Sequence, residues 1–129
     1  MRIPLGLLVC ACAFVAACSE RAANEIDMTS AQRFEPTRIS ISAGKTLVFR
    51  NGSGEAHTVT AYEEELPAGA EYFASGDFDS ESAARDHVGD GLLTEGQAFR
   101  LTLDTPGTFR YFCIPHEQQG MKGTIVVEE

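Results

Sequence analysis

The chain has 129 residues and a hydrophobic fraction of 43%, which gives room for one domain with one core. Nineteen acidic residues against ten basic ones leave a formal charge of −9. Acid runs such as Glu63-Glu64-Glu65 repel phosphate backbones and anionic headgroups, which argues against nucleic acid as a partner, while the same surplus serves solubility or docking on a basic protein.

The chain opens with Arg2 and an almost uninterrupted apolar stretch from Ile3 to Ala17. That length is short for a membrane-spanning helix and right for an export signal. It ends Val15-Ala16-Ala17-Cys18, which resembles a bacterial lipobox, where small residues precede a cysteine that is lipidated and becomes the new N-terminus. The resemblance implies a signal peptide over 1–17, a lipid on Cys18, and a protein anchored to a membrane on its periplasmic or other extracytoplasmic side. An ordinary cleaved signal with an incidental Cys18 is the competing reading. Cys10 and Cys12 lie in the apolar segment, so Cys113 is the sole thiol of the folded part and has no disulfide partner. A lone thiol in an exported protein is protected from oxidation by burial or by a metal.

From Ser19 to about Met28 the residues are polar and aperiodic, so 18–28 is expected to be a lipidated N-terminus and tether, with order beginning near Ile26 to Phe34 and the domain filling 29–129. Arg38–Ser42 and Thr46–Arg50 carry β-branched and aromatic residues around the turn Ala43-Gly44-Lys45 and predict strands. Further strands are predicted over His57–Ala61, Ala98–Leu103, Thr108–Cys113 and Gly123–Val127, with turns at Glu95-Gly96 and Thr105-Pro106-Gly107. Alternation in Phe99-Arg100-Leu101-Thr102-Leu103 turns the odd positions to a core. Glu64–Leu93 is rich in Gly, Asp, Ser and Ala and reads as a loop excursion holding a short helix capped by Asp79 or Ser80. Several short strands at this spacing predict an all-β sandwich or barrel.

The chemistry concentrates near the C-terminus, where Cys113, His116 and Met121 occur as C-x₂-H-x₄-M on a tight loop between two predicted strands. A thiolate, an imidazole and a thioether suit copper, and a His₂Cys set with a weak axial Met is the blue-copper arrangement. The second histidine is His57, at the start of a predicted strand after the turn Asn51-Gly52-Ser53-Gly54. Zinc is disfavoured, because a structural site wants four Cys or His ligands and a thioether suits zinc poorly. Disulfide exchange needs a second cysteine nearby. His87, in Arg85-Asp86-His87, is read as a solvated loop residue.

These segments resemble the cupredoxins of the plastocyanin, halocyanin and pseudoazurin type. The likeness runs from Phe34-Glu35-Pro36 through Leu47-Val48-Phe49-Arg50-Asn51, His57-Thr58-Val59 and Pro106–Tyr111 to Gly123–Val127. It implies a Greek-key β-sandwich of about eight strands, one copper ion near its end, His57, Cys113 and His116 as equatorial ligands, and Met121 as the axial one. Many such proteins carry Asn directly after the first histidine, where this chain has Thr58. The acidic stretch from Glu63 to Asp90 is also longer than in compact members.

Four protein donors leave no coordination position for a substrate, so the chain is expected to be an electron carrier and not an enzyme. It would act as a monomer that docks transiently on redox proteins near His116. Copper delivery, storage or buffering is the alternative function, and a copper-free interaction module a third.

Overall fold

The computed structural model describes residues 22–129. The expected signal over 1–17, the lipid site at Cys18 and the opening of the tether lie outside the described residues.

Eight strands form two four-stranded mixed sheets that share one apolar core. The first sheet has the order β2 (Phe34–Glu35), β1 (Glu25–Met28), β4 (Thr46–Asn51) and β6 (Ala98–Thr102). The second runs β3 (Arg38–Ser42), β8 (Lys122–Glu128), β7 (Gly107–Phe112) and β5 (Thr60–Ala61). This is the sandwich that the strand spacing predicted. In β8, Gly123, Ile125 and Val127 are buried, while Lys122 and Glu128 are exposed. In β6 the odd positions Phe99 and Leu101 face inward and Arg100 and Thr102 outward, as a half-buried strand requires. The two sheets meet around Phe34, Phe49 and Tyr111, whose rings stand edge to face at centroid distances from 4.7 to 6.2 Å. Such pairs add directional attraction to the burial of large apolar surfaces.

Two expectations need correction. The segment 18–28 is not a tether throughout, because Glu25–Met28 is β1, paired parallel to β4, with Ile26 and Met28 buried. Asn24 already belongs to the domain, donating from Nδ2 to the Thr46 carbonyl at 2.6 Å. Only two apolar residues mark this strand, too few to show a period, and the partner that holds it lies more than twenty residues away. The predicted strand His57–Ala61 contracts to Thr60–Ala61, with His57 joined to Leu93 by an isolated bridge.

The excursion is ordered and stitched to the second sheet. Phe73 to Ser75 run beside Val59 to Ala61: Ala61 N–H donates to the Phe73 carbonyl, and Ser75 N–H donates to that of Val59. Ser75 Oγ accepts from Val59 N–H at 3.0 Å and donates to the Gly91 carbonyl at 2.6 Å. Two short helices follow, α1 (Glu81–Asp86) and α2 (Val88–Gly91). Ser80 caps α1 by accepting from Ala83 N–H at 3.1 Å, which settles the choice between the two predicted caps.

Gly123 faces Tyr111 across the β7–β8 pair, and a Cβ there would overlap the tyrosine ring. Gly123→Ala is therefore expected to destabilise the fold by about 1–3 kcal/mol, the usual range for overpacking. The check is the denaturation midpoint; an unchanged value would mean that the Tyr111 ring moves aside freely.

Candidate metal centre

The end of β7 delivers Cys113 into a loop that turns through the 3₁₀ segment Ile114–Gln119 and returns at Met121 to β8. Gly120 closes that loop at φ +84°, a left-handed conformation that glycine adopts without a Cβ penalty. Cross-loop bonds fix the circuit: Cys113 N–H donates to the Met121 carbonyl at 3.0 Å, and Met121 N–H donates to that of His116 at 3.2 Å. Met121 is wholly buried in the same apolar cluster as Cys113. His57 arrives from the other side, fixed to Leu93 by two backbone bonds, His57 N–H to the Leu93 carbonyl at 3.1 Å and the reverse at 2.7 Å.

The three donor side chains converge. Ligand atoms of His57, Cys113 and His116 all lie within 4.8 Å of one another. His57 Nδ1 is 3.8 Å from Cys113 Sγ, His116 Nδ1 is 3.4 Å from the same sulfur, and the two Nδ1 atoms are 3.2 Å apart. His57 and Cys113 are fully buried and His116 half-buried. Burial lowers the pKa of His57, and the neighbouring His116 adds to the effect, so the ring favours its neutral, metal-binding form. Burial raises the Cys113 thiol, against the opposing N–H of Thr58, so a metal must displace its proton on binding. Two imidazole nitrogens and a sulfur sharing one buried point, with a thioether on the same loop, fit copper by the softness and number of their donors.

Residues 20–128 match the family described as copper binding proteins, plastocyanin/azurin family. The chain belongs to that family. It is 38% identical over 95 residues to the plastocyanin of Scenedesmus fuscus, covering 74% of this chain and 86% of that protein. It is 36% identical over 94 residues to the plastocyanin of Lactuca sativa, with coverages of 73% and 86%. The oxidised form of plastocyanin from Dryopteris crassirhizoma superposes with a TM-score of 0.57 at 25% identity, covering 81% of this chain and 99% of that one. An oxidised amicyanin variant gives a TM-score of 0.59 at 23% identity, covering 82% of each chain, and so shares the fold. Copper is thus the cofactor of this cupredoxin, and His57, Cys113, His116 and Met121 make up a type 1 set.

Thr58 occupies the position where many cupredoxins carry Asn, and it bridges all the same. Its backbone N–H donates to Cys113 Sγ at 3.4 Å, and its hydroxyl accepts from Ile114 N–H at 2.8 Å. His87 stays apart from the centre and stacks on Phe78 at a centroid distance of 6.3 Å.

Two further supports were not legible in the motif. Arg85 of α1 bridges Glu81 and Glu117, with its nearest contacts at 2.8 Å, and lies over the Phe112 ring at 4.4 Å. Tyr62 stacks on that ring at 4.3 Å and donates its hydroxyl proton to Glu117 at 3.0 Å. The excursion therefore grips the residue before Cys113 and the residue after His116. The second support is Ser53, whose Oγ lies 3.0 Å from His57 Nε2. Its only sequence signal is residue type, since Asn and Ser in a Gly-rich turn bond to nearby backbone and side chains.

Arg85 holds the Glu117 carboxyl below its ordinary value of 4.5, with Tyr62 contributing. A depressed carboxyl stabilises the fold fully above its unfolded value and loses that contribution as the pH falls through the lower folded value. Arg85→Leu is accordingly expected to lower the melting temperature at pH 7, by a gap that narrows as the pH drops below 4.5. A gap independent of pH, read from thermal melts, would show that Arg85 acts through its packing on Phe112 alone.

Proposed function

We propose that this cupredoxin carries single electrons between redox partners outside the cytoplasm, held at a membrane by a lipid on Cys18. The reading rests on one observation, the convergence of His57, Cys113 and His116 within 4.8 Å at a buried point. Bound copper supplies a one-electron couple, and a His₂Cys set with a thioether is tolerable to both of its oxidation states. The protein's part is to hold the donors in place and keep water out. Cys113, His57 and Met121 are fully buried, and their supporting bonds leave them little freedom to rearrange. Four protein donors favour electron transfer over catalysis, which needs an open coordination position.

His116 is the most accessible of the donors and sits beside exposed Pro115 and Gln118, which supports transient docking of a redox protein there. Acidic residues are grouped as well. Glu63, Glu64, Glu65, Glu81 and Asp86 line one hollow beside Tyr62 and Arg85, a concentration of charge that would steer a basic partner. Export and the anchor are supported by the apolar stretch Ile3–Ala17 and by the small residues before Cys18.

Adding Cu(II) to the protein is expected to produce an intense visible thiolate-to-copper band at one ion per chain, with a reversible one-electron wave. Cys113→Ser should abolish the band. A colourless complex, or copper that dissociates on reduction, would favour delivery or storage instead. Cys18→Ser should release the protein from membranes into the soluble fraction, and unchanged membrane association in fractionated cells would remove the lipid anchor from the reading.

A further inference from the structure

His57 turns Nδ1 to Cys113 and His116, and its other nitrogen meets a polar pair from the preceding turn. Ser53 is 7% exposed and Asn51 1%. Asn51 Nδ2 donates to two carbonyls, that of Glu55 at 2.7 Å and that of Leu93 at 2.8 Å. Its Oδ1 accepts from Ser53 N–H at 2.9 Å and stands 2.8 Å from Ser53 Oγ. A flipped amide would set Nδ2 against an N–H and Oδ1 against two carbonyls, so the orientation is fixed by its partners.

The direction of the remaining bond follows. An amide oxygen has no proton to give, so the single Ser53 hydroxyl proton goes to Asn51. The Glu55 carbonyl at 3.2 Å and His57 Nε2 at 3.0 Å are the longer alternatives, and a hydroxyl turned to His57 would leave the 2.8 Å contact with Asn51 Oδ1 as oxygen lone pair against oxygen lone pair. With that proton on Asn51, Ser53 Oγ accepts from Glu55 N–H at 3.3 Å and offers its other lone pair to His57 Nε2 at 3.0 Å, which makes Nε2 the protonated nitrogen. In a neutral imidazole the lone pair is left on Nδ1, on the side facing Cys113 Sγ and His116.

We infer that Ser53, held by Asn51, is a positioning residue for the metal centre, accepting the Nε2 proton of His57 and so keeping the Nδ1 lone pair and the ring aimed at the copper position. The inference deepens the copper reading above and depends on it. Outer partners of metal-bound histidines fix tautomer and ring orientation, and their loss typically costs about 10–100-fold in metal affinity. The backbone of Thr29 is a second neighbour of the His57 ring, so the Ser53 side chain has a specific rival.

Nitrogen-15 NMR of the imidazoles in the metal-free protein reads the tautomer directly. The wild-type protein is expected to show His57 protonated at Nε2 alone. Ser53→Ala should give a mixture of tautomers, weaken Cu(I) binding about 10–100-fold and shift the visible band of the Cu(II) form, while Ser53→Thr should restore all three. A Ser53→Ala protein that keeps the pure Nε2–H tautomer and wild-type affinity would assign the role to Thr29 and overturn the inference. If Ser53→Ala does not fold, the wild-type spectrum decides, because a proton on His57 Nδ1 would refute it. The expected tautomer in a protein that forms no blue copper centre would defeat the electron-carrier reading while leaving the Ser53–His57 bond intact.

Discussion

Thr58 joins the two halves of the metal site, one carried by the chain that leads into β5 and the other by the loop that follows β7. Its N–H donates to Cys113 Sγ and its hydroxyl receives the Ile114 N–H. His57 and Cys113 are 56 residues apart, and β5 offers only two residues of regular pairing to hold them in register. The side chain and backbone of one residue extend that pairing to the ligands themselves. Each such bond contributes only about 1 kcal/mol net, but a buried N–H left without a partner costs about 1–3 kcal/mol. The pair therefore matters more through the penalty for its absence than through its own strength.

The excursion between β5 and β6 is structural as well as acidic. Leu93, near its end, bonds to both backbone groups of His57. Ser75, in its middle, ties Val59 to Gly91. Arg85, on its first helix, covers the Phe112 ring and donates to Glu117. A run with this much negative charge would repel itself if left loose, and Arg85 supplies a local counter-charge for Glu81 and Glu117. Being partly exposed, those ion pairs act mainly by fixing geometry, since solvent and salt screen them. Function and stability are thereby coupled: the segment that gives the surface its acidic hollow also braces the copper loop.

Electrostatics inside the site run in one direction. Burial disfavours both the protonated form of His57 and the thiolate of Cys113, so these two groups favour their neutral forms before a metal binds. A cation entering there encounters lone pairs aimed at one point and a thiol whose proton it must displace. Affinity for the ion accordingly rises with pH, because proton and metal compete for the same sulfur.

The sequence by itself determined the sandwich class and the set of ligand types. Strand alternation is local and has period two, and Cys113, His116 and Met121 sit close enough along the chain for their spacing to carry meaning. Tertiary structure decided the rest, for the reason that the deciding contacts are long-range. Phe112 occupies an outward-facing position in β7 and is buried only because Tyr62 and Arg85 come from the excursion to cover it. Glu25–Met28 becomes a strand because β2 and β4 are there to pair with it. The partner of His57 Nε2 is a serine in an unremarkable glycine-rich turn, and its proton is directed by an asparagine that is itself oriented from 42 residues away by Leu93. Residue types could be read from the chain, but the geometry that makes one histidine nitrogen a ligand and the other a donor exists only in the fold.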